Sequence, residues 1–232
     1  MAIPVLDVTI HEKYLAGLGK TVRFRAYKNK EQKILLEAKE SQDELRQRNA
    51  IMQVMQLCVV DDIDVNDLAV FDFVTLFIAL RAASVNEIAK VSYRYSWYDE
   101  EDNPKESELT LAIDLRKVGL TVSDDSVEDT IQISNNLYIK LKYPSIGVIM
   151  SKPSDDDIIK SAIEYIYDEE TIYDNFTDEE LSEFVDNLDV KTLLKIDKFI
   201  DNAPRVEHIE HVVLDDGSEE DIIFTSISDF FH

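Results

Sequence analysis

Cationic side chains are scarce in this 232-residue chain: 24 Lys and Arg stand against 48 Asp and Glu, a formal net charge of −24. A body this acidic repels nucleic acid and anionic membrane and attracts basic protein surfaces. It also stays soluble, and solubility alone accounts for the charge equally well. Cysteine is nearly absent. Cys58 is alone, so no disulfide can form within the chain, and its place on an apolar helical stripe reads as a buried thiol in a reducing cytoplasm. Gly and Pro are five each and no segment is of low complexity, which argues against a long disordered linker. Long apolar runs are missing too: the most apolar helix is interrupted by Asp72, and MAIPVLDVTIHEKY lacks a basic segment followed by an apolar one. Neither secretion nor membrane insertion is therefore expected, and the sequon Asn175-Phe176-Thr177 has no glycosylation route.

What is present suffices for a sizeable core, since 45% of residues are hydrophobic, and the length fits one large domain or two small ones. The charge is graded. Residues 1–60 carry 10 Lys and Arg against 7 acids, 61–150 carry 8 against 17, and 151–232 carry 6 against 24.

Catalytic and ligand motifs fall short one by one. Gly17-Leu18-Gly19-Lys20-Thr21 ends like a phosphate-binding loop, but Tyr14 stands where the first glycine should be and a strand follows where a helix is needed. Asp62-x-Asp64-x-Asn66 begins like a calcium loop, yet Asp67 and Phe73 replace its essential Gly and Glu. Solvated acids, with Asp67 capping the next helix, account for the same residues. His208 and His211, flanked by Glu207 and Glu210, form the densest metal-like cluster. On a strand, however, residues three apart point to opposite faces, so they read as polar strand residues. No nucleophile or base carries a recognisable signature. The expectation is no enzyme, no cofactor and no bound metal.

Periodicity orders the chain. Val22, Phe24 and Ala26 alternate with Thr21, Arg23, Arg25 and Tyr27, a half-buried strand with a basic face. Helical patterns follow over Glu31–Glu40, Leu45–Val60 and Val70–Leu80. EIAKVSYRYSWYD, ELTLAIDL, GLTVSD, Thr130–Ile133 and Leu137–Leu141 read as antiparallel strands. Ser154 caps a helix bearing Ile158, Ile159, Ala162, Ile163 and Ile166, and Thr177 with Glu180 forms a capping box before Leu181 and Phe184. Another helix spans Val190–Ile200. Val206–Leu214 and Ile222–Thr225 around Asp215-Asp216-Gly217 make a final hairpin. The fold class is α+β: an N-terminal strand with helices, a central antiparallel β region, and a C-terminal helical part ending in a β-hairpin. The expected division is an α+β domain over 1–150 and an acidic, mainly helical one over 151–232.

The D-x-D-x-x-x-L linker Asp62–Leu68, the F-D-x-x-x-L-F run Phe71–Phe77 and the helix exit Leu80–Ser84 resemble the baseplate hub family of T-even-like tailed phages. LYIKLKYPSIGVI, AIEYIYDEETIYDNFTDEELSEFVDNL and the ending SISDFFH look like later blocks of that family, so the resemblance runs from about Lys20 onward. It implies a non-enzymatic part in building the central hub of a contractile-tail baseplate, as a subunit or as a transient chaperone-like factor. The implied partners are other hub or tail proteins, neither nucleic acid nor membrane, met in the host cytoplasm or in the virion tail; oligomeric state stays open. The charge alone supports a rival reading, an acidic mimic of nucleic acid that occupies a host DNA-binding protein. Candidate partner-binding residues are Arg23, Arg25 and Lys28 on the basic strand, which meet acids in this chain or on a partner. Ile227, Phe230 and Phe231 join them, one apolar face of a short terminal helix.

Overall fold

The computed structural model describes residues 7–98, 101, 103–122 and 127–225, and the chain is α+β. By packing it forms two compact units that interleave in sequence. The described residues within 1–63, 74–121 and 205–232 make one, and those within 64–73 and 122–204 the other.

In the first unit, β1 (Ile10–Leu15) pairs antiparallel with β2 (Lys20–Arg25). The phosphate-loop lookalike is the turn of this hairpin, and Gly19 supplies the positive φ of 66° that it requires. The sequence reading had β2 but not β1, whose IHEKYL has no clean alternation. Val22 and Phe24 turn inward as expected. Helices α1 (Asn29–Glu40) and α2 (Glu44–Cys58) follow. Asp43 caps α2 by accepting from the amides of Leu45 and Arg46. Helix α3 (Val70–Ser84) buries Phe77, Ile78 and Leu80.

A hairpin of two eleven-residue strands comes next, β3 (Ile88–Tyr98) with β4 (Pro104–Asp114). Its inward positions are apolar near the base, Ala89, Val91, Leu111 and Ile113. The short β5 (Gly119–Thr121) pairs with β10 (Arg205–Val213), and β10 pairs with β11 (Glu219–Phe224). That ladder groups the C-terminal hairpin with the N-terminal strands and not with the helices just before it.

The second unit holds a four-stranded antiparallel sheet in the order β6-β7-β8-β9: Thr130–Gln132, Tyr138–Leu141, Ile163–Tyr167 and Ile172–Tyr173. Helices α4 (Ile146–Met150), α5 (Asp155–Ala162), α6 (Asp178–Asp186) and α7 (Val190–Asp201) complete it. Ile131, Ile139, Leu141, Ile163 and Ile166 face Val185, Ile196 and Phe199 in one core. Tyr143 stacks on Phe199, centroids 4.5 Å apart, and meets Phe71 edge-on. The Ser154 cap and the Thr177–Glu180 box form as read, each with reciprocal bonds.

Two local expectations are corrected. Ile163 and Ile166 are not on the helix that Ser154 starts: α5 ends at Ala162, and IEYIY runs as β8 because its β-branched and aromatic residues complete a ladder with β7. The capping carboxylate of the acidic linker is Asp64, which accepts from the amide of Asn66, while Asp67 lies inside the short 3-10 turn Val65–Asp67. In the same unit, Gly147 brings α4 against that turn: a Cβ there would lie 3.0 Å from the Asn66 carbonyl oxygen.

Candidate interaction surfaces

The basic face of β2 is largely neutralised within the chain. Asp61 accepts from the Arg23 amide at 2.6 Å and from its guanidinium, with Nη2 to Oδ1 at 2.7 Å. Those hydrogen bonds raise the Arg23 pKa, and the bond from the Arg23 amide leads in holding the Asp61 carboxyl below its usual range. Arg25 donates to Glu31 Oε1 and to the Leu57 carbonyl, both at 2.9 Å. Glu31 is fully buried, and its other oxygen takes the Lys28 amide at 2.8 Å. Burial would push this carboxyl up, but the bonds from Arg25 and Lys28 outweigh it and hold the pKa down. Lys28 itself is exposed at the start of α1. Of the three basic candidates, the two arginines thus serve as internal ties and the lysine faces solvent. Ile227, Phe230 and Phe231 lie outside the described residues.

Sequence reasoning missed the outer face of the four-stranded sheet, because part of it was read as helix. The inner face builds the core, so the alternate residues point out: Tyr138 and Lys140 on β7, Tyr165 and Tyr167 on β8, with Ile172 on β9 opposite Tyr167. Tyr138 and Tyr167 are cross-strand partners and stack at 5.2 Å with planes 18° apart. Tyr165 joins them 5.8 Å from Tyr167. All three rings are half-buried, and Ile172 is 63% exposed. Lys140 is held by Asp129 at 2.6 Å, a bond that raises its pKa, with smaller contributions from Tyr165 and Glu164. The signal available beforehand was the spacing Tyr165-x-Tyr167, which is a strand's and not a helix's.

A smaller apolar cluster lies on the C-terminal hairpin, where Ile209 and Ile223 are exposed cross-strand partners. His211, also outward, bonds Asp221 at 2.7 Å, which raises its pKa, while His208 packs inward by Phe224. The two imidazoles occupy opposite faces.

The first unit has a cavity of about 410 Å³ on the β3-β4 hairpin, between Arg94–Ser96 and Glu106–Glu108. Of two others in the same unit, the larger, about 340 Å³, has a floor of Ile78, Ala79, Ala82 and Ala83 on α3 and a rim that includes Lys13 and Arg116. Arg116 is held by Asp114 and Glu87 at 2.8 and 2.7 Å. The smaller, about 170 Å³, is lined by Leu35, Phe77, Val85 and the buried Arg81, whose pKa burial lowers. Neither lining sets a nucleophile beside a base. No described helix is long and apolar enough to cross a membrane.

Small antiparallel sheets, with exposed aromatic and aliphatic residues on an acidic chain, characterise the protein. The chain belongs to the T4 bacteriophage base plate protein family, whose model matches residues 8–232, and is therefore a baseplate protein of T4-like phages. No curated protein and no solved structure matches it.

Proposed function

We propose that this baseplate protein acts in assembly of the central hub, by binding other tail proteins and without catalysis. The observation that carries the reading is the hub-like order of blocks from Asp62 to Ser84, which falls inside the family match over 8–232. Its acidity supports the mechanism: a surplus of carboxylates, densest after residue 150, draws in basic protein surfaces and keeps the free chain soluble until it meets them. Permanent subunit and departing assembly factor are both compatible with that chemistry. Quantitative mass spectrometry of assembly intermediates and of purified mature tails tests the proposal. A hub subunit is found in both at fixed stoichiometry, and an assembly factor in intermediates alone. Absence from both overturns the hub role.

A further inference from the structure

We propose that the tyrosine-bearing face of the β6-β7-β8-β9 sheet is a docking surface for an arginine-rich segment of a partner tail protein. The inference rests on the reading above that the chain works by protein binding, and it names the chemistry that would be bound.

An antiparallel sheet with one face in the core ordinarily shows polar residues on the other. Here the outward row across three strands is Tyr138, Tyr167 and Ile172, with Tyr165 beside it. The rings are contiguous, half-exposed and already ordered by stacking, so a partner that covers them immobilises little that is not fixed beforehand. Tyrosine is also the residue type enriched at protein interfaces.

Charge selects the occupant. Residues 122–204 carry 20 acidic against 7 basic side chains. Glu164 precedes the tyrosines on β8 and is exposed, and Lys140, a cation on the face, is held by Asp129. A partner must therefore bring positive charge and a group that lies well on aromatic rings. Guanidinium does both: it is planar, weakly hydrated, stacks on ring faces and pairs with carboxylates through two parallel bonds. An ammonium matches the charge but stacks less well.

The test uses the full chain and two fluorescent peptides of equal charge, one alternating Arg with Ala and one alternating Lys with Ala, followed by anisotropy. The arginine peptide should bind about two- to five-fold more tightly, the gain for one exposed cation–aromatic contact. Joint replacement Tyr138→Leu and Tyr167→Leu should abolish that preference, with circular dichroism confirming an intact fold. Ile172→Arg, at a position too exposed to threaten folding, should weaken both peptides. Glu183→Gln on α6 lowers the charge of the same unit by one outside the sheet and should leave the preference unchanged. Equal binding of the two peptides, or a preference that survives both face variants, overturns the proposal. A chain found in baseplate intermediates that shows no arginine preference loses this docking surface but keeps its hub role. A chain absent from them with the preference intact loses the hub role alone.

Discussion

Replacing Glu31 by Ala should destabilise the first unit by about 3–5 kcal/mol, the range for removing one partner of a buried ion pair. The magnitude follows from the site. The Glu31 side chain is 0% exposed and that of Arg25 16%, so the lost contact at 2.9 Å lies out of bulk water and leaves a guanidinium with poor access to solvent. The substitution also removes the acceptor for the Lys28 amide at the start of α1. Glu31→Gln keeps the size and an acceptor oxygen, so it should cost less. Joint replacement of Arg25 and Glu31 by Met should recover much of the loss, because the stranded charge goes with its partner. Urea unfolding followed by fluorescence reads this unit directly, since Trp97 on β3 is the only tryptophan. The pH dependence has a fixed sign. The folded carboxyl titrates below its unfolded value of about 4.3, so the contribution is complete above that pH and is lost as pH falls through the folded pKa. A loss under about 1 kcal/mol for Glu31→Ala would refute the reasoning, because an exposed pair would cost no more than that.

Asp157 should titrate near its shifted pKa of about 2, held there first by the Ser154 hydroxyl and then by Lys160; a midpoint near 4 by carbon NMR would mean that the α5 cap does not form in solution. His211 should titrate above the usual histidine value and return toward it in Asp221→Asn; its stabilising effect is complete below the unfolded pKa and fades as pH rises through the folded one. The Cys58 thiol, pushed up to about 11 by burial, should resist iodoacetamide in the native protein and react on denaturation. Cleavage at a site for a sequence-specific protease, inserted at the exposed, positive-φ Lys152, tests the domain division. Contiguous domains over 1–150 and 151–232 would separate on gel filtration, whereas the pairing of Gly119–Thr121 with Arg205–Glu207 should keep the fragments together.

Elements whose cause is local were legible in the sequence. Capping residues Ser154 and Thr177, the apolar pattern of α3 and the turn at Gly217 each act within a few residues, and each stands where the pattern put it. The misreading at Ile163–Tyr167 has the opposite origin: five residues that continue a helical apolar pattern become a strand because β7 offers a ladder. That partner lies over twenty residues away, beyond any local rule, and the tyrosine face went unseen with it. The arginines of β2 were legible as a basic face. Their engagement by Asp61 and Glu31 depends on how α1 and the segment after α2 return to the strand, which spacing does not encode.

The central claim, that this baseplate protein works by binding other tail proteins, is tested most directly by cross-linking mass spectrometry of baseplates assembling in infected cells. The account predicts cross-links from this chain to other baseplate proteins, with yields that fall as salt is raised before cross-linking, since exposed charge pairs are screened over about 8–10 Å at physiological ionic strength. Recovery of the chain on a host DNA-binding protein, with no cross-link to any tail protein, would contradict it.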